Sequence, residues 1–370
     1  MTILVLNVGS SSVKFAAFAR DSDGMREIAR GLTARPGSLG HAGEVAAGDL
    51  ELLSGIIAAL EREHGALVAV GHRIVHGGRV FLTPVVVDEA NLAAIEAMTP
   101  LAPLHQPHNA MAIRAVSRLR PLLRQVACFD TAFHRTQPEL HRRLPLPDSY
   151  FAEGVERYGF HGLSYAWLVR EIGRLRGEVP RRILAYHLGA GASACAILDG
   201  RSHDTSMGFS TLDGLMMATR PGSLDPGVLL HLLANGASGE DLTNLLYTRS
   251  GLLGVSGTTG DMKALLASSD PSARLAVDMF SRRAAAVGAA LVTSLGGLDA
   301  VVFTGGIGEH AGEIRTKICD LLGFLGVEID PQYNRQADAR ISPDDAAVEC
   351  WIVRADEERM IAEAVVEHAC

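Results

Sequence analysis

The chain has 370 residues, of which 48% are hydrophobic and 21% are charged, a composition typical of a soluble globular protein. Its 34 basic and 42 acidic residues give a net charge of −8, which disfavours nucleic acid as a general partner. No apolar run reaches the roughly 18 residues that a membrane span needs, and no basic region precedes the first apolar run. We therefore expect a cytoplasmic protein of two domains, with no membrane partner and with its five cysteines reduced.

The first predicted element is a β-hairpin with a polar tip. Residues 3–6 and 13–18 favour strands, and Gly9 with the serines at 10–12 predicts a tight turn between them. The tip also carries Asn7 and Lys14, a combination that suits phosphate oxygens because glycine allows close approach and lysine neutralises charge. An ordinary Gly/Ser turn is the alternative interpretation.

The same pattern of strand, small-residue turn and strand returns at residues 186–198. Such a repeat indicates two related halves, and two phosphate-type turns facing each other across a cleft would bind a nucleotide. A third small-residue turn at residues 303–309 follows an apolar strand and precedes a helix beginning near Ala311. Its N–H groups are also expected to face a ligand.

Periodicity and capping residues predict the elements between these turns. We expect helices at 50–64, 88–98, 109–120, 164–176 (with Ser164 as its cap), 228–234, 240–246 and 270–295, and a C-terminal helix after residue 358. Further strands are expected at 68–75, 124–129 and 347–353, a loop or irregular strand at 30–49, and loops or irregular segments at 101–108, 205–226 and 251–260. The small-residue stripe at 284–290 suits close packing, either in the core or in a dimer contact.

Several polar residues in these elements are candidates for chemistry. Arg73 interrupts a buried strand, where an unpaired charge is costly, so it belongs either to an internal salt bridge or to a site. Asp130 follows the strand at 124–129, as catalytic acids do in α/β proteins, although it could equally cap a helix. His161 lies between glycines as a ligand contact or a turn histidine, and Arg220 is the best anion contact of the irregular segment.

Four histidines raise the alternative of a zinc site. His72, His76, His105 and His108 lie close together in sequence, and imidazole is a common zinc ligand. No cysteine or carboxylate stands at ligand spacing beside them, however, so the pattern is weak.

Taken in order, the motifs of this chain resemble those of the acetate kinase family, in the sugar kinase, actin and Hsp70 superfamily. The resemblance covers nearly the whole chain: NVGSSSVKF (7–15), GHRIVHGG (71–78), PLH (103–105), FDTAFH (129–134), RYGFHG (157–162), HLGAGAS (187–193), TSMGFS (205–210), LDPG (224–227), GGIGE (305–309) and DEE (356–358). It implies an α/β, two-domain actin-like (ribonuclease H-like) ATPase fold, with duplicated mixed sheets flanked by helices and the active site in the interdomain cleft. The implied domains are residues 1–135 plus 359–370, and residues 136–358, the second of which would form a homodimer.

The resemblance also implies the reversible, Mg²⁺-dependent transfer of a phosphoryl group between ATP and acetate, giving acetyl phosphate and ADP, with Mn²⁺ as an alternative metal. The implied catalytic residues are Asp130, His161 and Arg220, and the implied acetate-binding residues are Arg73, Val75, Phe160 and Thr211. The implied metal ligands are Asn7 and Glu357, and the implied nucleotide-binding residues are Ser12, Lys14, His187, Leu188, Gly189, Ala190, Gly191, Asp261, Met262, Lys263, Gly306, Ile307, Gly308, Glu309 and His310.

The chemistry of the acceptor and four departures from the usual motifs refine these roles. A carboxylic acid is already ionised at neutral pH, so the acceptor needs no general base, and we expect Asp130 to orient Arg73, Arg220 or a metal-bound water. This chain departs from the usual motifs at Ala190, Lys263 and His310, where relatives have Asn, Arg and Asn around the nucleotide. It also has Thr211 in place of a proline near the acyl pocket.

Three other functions compete with this interpretation. A kinase for propionate or butyrate is the alternative enzyme, because one methylene changes selectivity by only about 1–3 kcal/mol. An actin-like or Hsp70-like ATP switch would not need the acceptor-binding Arg73. A catalytically silent sensor would be expected to lack Asn7, Arg73, Asp130 or Arg220, all of which are present.

Overall fold

The computed structural model describes residues 1–9, 12–22, 24–35 and 45–370. The serines at 10 and 11, and residues 36–44 of the predicted irregular segment, lie outside the described residues. The chain divides into a first unit, Met1–Phe133 with Asp356–Cys370, and a second unit, His134–Ala355. The resemblance implies domain boundaries after residues 135 and 358, whereas the two units of the structure divide after residues 133 and 355.

Both units are built on mixed sheets. The described strands are, in chain order, Thr2–Val8 (β1), Ser12–Asp21 (β2), Gly24–Ala34 (β3), Leu67–Ile74 (β4), Val85–Val86 (β5), Arg124–Phe129 (β6), Arg182–Leu188 (β7), Ala192–Leu198 (β8), Arg201–Thr205 (β9), Ala300–Thr304 (β10) and Glu349–Ile352 (β11). Within the described residues, the strand order is β3-β2-β1-β4-β6-β5 in the first unit and β11-β10-β7-β8-β9 in the second.

The two sheets repeat one topology, as the recurring sequence pattern predicts. In each, three consecutive strands pair antiparallel, and the first of them also pairs with a later parallel strand: β1 with β4, and β7 with β10. A second parallel strand follows, β6 in one sheet and β11 in the other. Both predicted hairpins are therefore confirmed.

Helices cover the sheets. The described α-helices are, in chain order, Ala47–His64 (α1), Glu89–Ala97 (α2), Gln106–Leu119 (α3), Glu139–Arg142 (α4), Asp148–Ala152 (α5), Gly162–Arg176 (α6), Pro226–Ala234 (α7), Gly239–Thr248 (α8), Gly251–Ser256 (α9), Met262–Ala267 (α10), Pro271–Leu295 (α11), Gly305–His310 (α12), Gly312–Leu321 (α13), Pro331–Gln336 (α14) and Glu357–Ala369 (α15). Short 3₁₀ helices lie at Thr99–Leu101, Ala132–Thr136 and Gly323–Leu325. None of the helices in the described ranges combines the length and apolar character that crossing a bilayer requires.

Local signals explain where several helices begin and end. Asp88 caps α2 by accepting a hydrogen bond from the Asn91 N–H, and Asp270 caps α11 in the same manner, with Pro271 in its first turn. Gly65, at φ 82°, ends α1. The helices predicted at 50–64, 88–98 and 270–295 are thus confirmed, although α1 begins slightly earlier, at Ala47.

Four predictions of local structure are wrong. Residues 101–108 were expected to form a loop, but α3 begins at Gln106, and the expected loop at 251–260 contains α9. The expected turn at 303–309 includes most of α12. Ser164 does not cap α6, which begins two residues earlier at Gly162. The helices α9 and α12 are difficult to predict because their glycines lower helix propensity. Tertiary hydrogen bonds, such as the one from Leu252 N–H to the Met217 carbonyl, stabilise them in the structure.

Candidate active site

In the first unit, three predicted site residues meet at one edge of the sheet. Asn7 lies near the end of β1, Arg73 near the end of β4, and Asp130 directly after β6. These three strands are adjacent and parallel, so their carboxyl ends share one edge, where open α/β sheets bind ligands.

Arg73 is the centre of this cluster. Its Nε donates to Asp130 Oδ1 over 3.0 Å and its Nη2 to Asp130 Oδ2 over 2.5 Å, so the pair is bidentate. Its Nη1 donates to Asn7 Oδ1 over 3.3 Å. Asp130 is only 1% exposed, whereas Arg73 is 20% exposed and keeps a surface for a ligand. Burial lowers the pKa of Arg73, but the charges of Asp130 and Glu357 outweigh it and raise the pKa above its ordinary value.

The predicted metal ligands lie on either side of this guanidinium. Glu357 Oε2 is 3.8 Å from Arg73 Nε, and the Asn7 amide oxygen contacts Nη1. Amide and carboxylate oxygens are ligands that Mg²⁺ accepts, and it commonly binds one or two protein oxygens together with substrate phosphates and water. Within the described ranges, no group of three or more His, Cys, Asp or Glu side chains is arranged to hold a metal. The residues therefore fit a Mg²⁺ ion that arrives with the nucleotide.

Lys14 has a partner that sequence reasoning missed. It stands opposite Asn7 in the β1–β2 ladder, and its Nζ lies 2.7 Å from Glu358 Oε1. Glu358 is buried and also pairs with Arg30. Burial raises the pKa of Glu358, but Lys14 and Arg30 outweigh it and hold the pKa below its usual value. The DEE motif contains this residue, yet nothing in its spacing indicates that it contacts Lys14.

Sequence reasoning also missed Asn109, which connects two strand ends at this edge of the sheet. Its amide group donates to the Val8 carbonyl over 3.0 Å and accepts from the Val75 N–H over 2.9 Å. Val75 is 6% exposed, so its predicted contact with acetate would use a small surface. Asn109 therefore ties the end of β1, beside Asn7, to the end of β4, beside Arg73.

In the second unit, three predicted nucleotide motifs converge on one cavity. Its volume is about 570 Å³, within the range of ligand pockets. It is lined by Gly189, Ala190, Gly260, Asp261, Met262, Lys263, Leu266, Gly306, Ile307, His310 and Ala311. The three positions at which the chain departs from the usual nucleotide motifs, Ala190, Lys263 and His310, all belong to this lining.

His161 and Arg220 lie together beside the turn of the second hairpin. A methyl group placed on Gly191 would lie 3.0 Å from Arg220 Nη2 and 3.3 Å from His161 Nε2. His161 has left-handed backbone geometry at φ 60°, a strained conformation for a residue other than glycine. Its ring stacks on His187 at 4.3 Å between centroids, and the His187 Nδ1 is in turn 2.8 Å from Ser164 Oγ. Ser164 thus supports the site instead of capping a helix.

The irregular segment at 205–226 holds Arg220 through its main chain. Arg220 Nη1 donates to the Thr211 carbonyl over 2.9 Å, and the Arg220 carbonyl accepts from Met217 N–H over 3.0 Å. The Ala218 N–H donates to the Ala190 carbonyl, which joins this segment to the nucleotide turn. Because a proline at position 211 would supply the same carbonyl, the change to threonine preserves this support.

Four other predicted site residues have mainly structural contacts. Phe160 is 1% exposed, and its carbonyl lies 2.9 Å from His134 Nε2. The Glu309 carboxylate accepts from the N–H groups of Gly305 and Ala355, and Leu188 is fully buried. Ser12, at the start of β2, accepts the Gly9 N–H at its carbonyl over 2.9 Å and so closes the hairpin turn.

The histidines considered for zinc have other partners. His72 Nε2 is 2.7 Å from Gln125 Oε1, and burial lowers the pKa of His72 to about 4. His76 Nδ1 accepts from the Gly78 N–H over 3.0 Å. His108 Nδ1 lies 2.9 Å from Arg35 Nη1 and so is engaged with a protein side chain.

Comparisons with known proteins identify relatives of this chain over almost its whole length. The chain is 45% identical over 390 aligned residues to an acetate kinase of Rhodopseudomonas palustris (strain TIE-1), covering 98% of this chain and 97% of that one. Among solved structures, a propionate kinase from Francisella tularensis matches with a TM-score of 0.89 at 35% identity, covering 98% of each chain. The acetate kinase of Porphyromonas gingivalis matches with a TM-score of 0.86 at 33% identity, covering 99% of each chain.

The fold implied by the motifs is therefore confirmed, since acetate and propionate kinases share it over almost their whole length. The profile of the acetokinase family matches residues 2–363. A match of this extent, together with relatives of this identity, establishes that the chain belongs to the acetokinase family.

Proposed function

We propose that this protein catalyses the reversible transfer of the γ-phosphoryl group of ATP to acetate, giving acetyl phosphate and ADP. The observation that carries the proposal is the Arg73 guanidinium, held in one plane by the buried Asp130 at the carboxyl edge of a sheet. A planar guanidinium fixed in this way suits a small carboxylate. The nucleotide cavity of the second unit supplies the binding site for the donor.

The acceptor needs no proton abstraction. Acetate is ionised at neutral pH, so its oxygen can attack phosphorus directly. Asp130 uses both carboxylate oxygens on Arg73, which supports an orienting role over that of a general base. Of the partners predicted from the sequence, Arg73 is the one that the described contacts of Asp130 favour.

Positive charge and hydrogen-bond donors stabilise the phosphoryl group in flight. Phosphoryl transfer spreads charge over three equatorial oxygens, and fixed donors near them lower the barrier. Arg220 and His161, placed together beside Gly191, provide such donors, and the backbone of the turn allows the phosphate to approach closely. We assign both side chains to the transferring phosphate.

A Mg²⁺ ion would be held by Asn7 and Glu357 together with phosphate oxygens. When bound, the ion neutralises charge on the phosphates. The role of this chain is to supply two oxygens and to keep them beside Arg73, which contacts both residues.

We expect acetate to be preferred over longer acids. Thr211 is close in volume to proline, so propionate should follow within roughly 10–200-fold in kcat/KM. The test is to trap the acyl phosphate as its hydroxamate, with acetate, propionate and butyrate compared side by side. A butyrate rate above the acetate rate would contradict the assignment, and the absence of hydroxamate with all three acids would refute the activity.

We also propose a homodimer formed through α7 and the neighbouring α8. The apolar residues Val228, Leu230 and Leu233 of α7 are 43%, 66% and 45% exposed, no residue of this helix is buried, and a second copy would cover such apolar surface. The family resemblance favours this occupant. Leu230→Asp should convert the dimer to a monomer in light scattering, whereas Leu122→Asp, at a leucine that is 99% exposed in the first unit, should not. A wild-type monomer would contradict this proposal.

A further inference from the structure

We propose that Ser193 and Tyr165 are positioning residues that orient His161 and keep a proton on its Nε2 atom. The proposal rests on the proposed phosphoryl transfer, in which His161 donates to the transferring group. It adds two buried hydroxyls to the machinery, neither of which contacts substrate.

The geometry is a short hydrogen-bonded chain within the second unit. His161 Nδ1 lies 2.9 Å from Ser193 Oγ, and the same oxygen lies 2.6 Å from Tyr165 Oη. Both Ser193 and Tyr165 are 0% exposed. Ser193 stands on β8 just after the Gly189–Gly191 turn, and Tyr165 stands in the first turns of α6. Two rigid elements thus converge on one imidazole nitrogen.

The hydroxyl protons can be assigned along this chain. Burial raises the pKa of Tyr165 well above its ordinary value, so the phenol keeps its proton and can donate it to Ser193 Oγ. The Ser193 proton is then directed to His161 Nδ1, which leaves the proton of a neutral imidazole on Nε2. If the ring is doubly protonated, Ser193 Oγ accepts from Nδ1–H instead. Nε2 is a donor in either state.

Nε2 is also the imidazole nitrogen on the side of the proposed phosphate site. It lies beside Gly191 together with Arg220, since a methyl group placed on that glycine would contact both side chains. Stacking on His187 and the left-handed backbone at His161 restrict rotation of the ring. A hydrogen bond at Nδ1 therefore determines what the ring offers at Nε2.

The direct test is ¹⁵N NMR of the imidazole side chains in the whole protein, with His161 assigned by comparison with His161→Gln. We expect protonated Nε2 and unprotonated Nδ1 in the neutral ring, and we expect Ser193→Ala to produce a mixture of tautomers. A neutral wild-type ring protonated at Nδ1 would overturn the proposal. This measurement needs no turnover, so it stands apart from failure of the proposed activity, which the hydroxamate assay reports.

A double-mutant cycle provides the kinetic test. We expect Ser193→Ala to lower kcat about tenfold with little change in KM, and Tyr165→Phe to lower it less. In the His161→Gln background, Ser193→Ala should change kcat less than about twofold, because its effect acts through the imidazole. An equal loss in both backgrounds would show that Ser193 is merely structural and would overturn the proposal.

The chain offers a matched control at a second buried serine–histidine pair. Ser202 Oγ lies 2.8 Å from His134 Nδ1, and both residues are 1% exposed. Ser202→Ala removes the same chemical contact away from the proposed phosphate site. It should lower thermal stability while leaving kcat and the His161 tautomer as in the wild type.

Discussion

At Arg73, function and stability depend on the same contact. The side chain interrupts an apolar strand, and the buried Asp130 provides the charge that makes this position tolerable. Removing one partner of a buried pair leaves the other charge without compensation, which costs more than the pair itself contributes. A substitution at Arg73 should therefore change both the proposed activity and folding.

We predict that Arg73→Ala and Arg220→Ala each lower kcat/KM for acyl phosphate formation by orders of magnitude. Arg73→Ala should also lower the free energy of unfolding by about 3 kcal/mol, because Asp130 remains buried and loses its bidentate guanidinium partner. Adding Asp130→Asn to Arg73→Ala should recover part of that stability and none of the activity. Near-wild-type activity of either arginine variant would show that the arginines have been assigned wrongly.

His134 predicts a loss of stability in mild acid. Burial lowers its pKa to about 4, although the hydrogen bond to the Phe160 carbonyl acts in the opposite direction. Its unfolded pKa is about 6.5, so between these values the unfolded chain binds a proton that the folded chain does not. The free energy of unfolding should therefore fall as the pH drops from about 6.5 towards 4.

The measurement is chemical denaturation of the wild type and of His134→Gln across this pH range. The slope of the unfolding free energy against pH should be smaller in the variant. Parallel curves would mean that His134 does not remain neutral in the folded protein.

At the scale of elements, the small-residue stripe of α11 belongs to the core. Ala284 and Gly288 are buried, and a methyl group on Gly288 would overlap the Tyr186 hydroxyl, which itself donates to the Ala284 carbonyl over 3.0 Å. Of the two uses that the sequence left open, core or dimer contact, the structure shows the core for Ala284, Ala285 and Gly288, whereas Ala286 and Ala290 are exposed. The stripe lets α11 approach β7 closely.

This packing predicts opposite effects for one substitution in two helices. Gly288→Ala should destabilise the protein by about 1–3 kcal/mol, because the added methyl forces Tyr186 to move. Gly55→Ala in α1, where the methyl meets no atom within 4 Å, should stabilise it by up to about 1 kcal/mol through helix propensity. Thermal unfolding of both variants checks this; a neutral Gly288→Ala would mean that the contact is easily rearranged.

The three turns that line the nucleotide cavity predict relaxed base selectivity. Lys263 lacks the plane with which arginine stacks on a purine, and Ala190 has no hydrogen-bonding side chain, although His310 could partly compensate. Losing about one such contact should cost on the order of 1 kcal/mol, mostly in KM. The kcat/KM values measured for ATP, GTP, CTP and pyrophosphate should therefore differ less than in a relative with all three residues, and Lys263→Arg should widen the difference. Strict ATP selectivity that this substitution leaves unchanged would contradict the prediction.

The sequence predicts long and strongly patterned elements better than short glycine-rich ones. Apolar runs and capping residues predict both hairpins, α11 and β6, because the hydrophobic pattern of each element lies within a short stretch of sequence. The sequence does not predict the helices α9 and α12, because their glycines lower helix propensity and residues distant in sequence stabilise them through backbone hydrogen bonds. Contacts across the chain, such as Lys14 with Glu358, arise only when the sheet brings together residues far apart in sequence.

At the scale of the whole molecule, one sheet topology is used twice for different tasks. The first unit presents Arg73, our proposed acetate contact, at the ends of β1, β4 and β6, and the second presents the cavity that we propose for the nucleotide, beside the turn after β7. The repeated motif could be recognised in the sequence because each copy is local. Local pattern alone does not assign a ligand to either sheet edge, because the surrounding contacts come from other strands and helices. The assignment made from the sequence depended on the family resemblance.

The most direct test of the central claim is ³¹P NMR of the protein with ATP, acetate and Mg²⁺. We predict that acetyl phosphate and ADP appear in equal amounts and that the reaction runs backward when these two products are supplied. ADP formed together with inorganic phosphate, and no acetyl phosphate, would contradict the account, because it would make the protein an ATP hydrolase or switch instead of an acetate-phosphorylating enzyme.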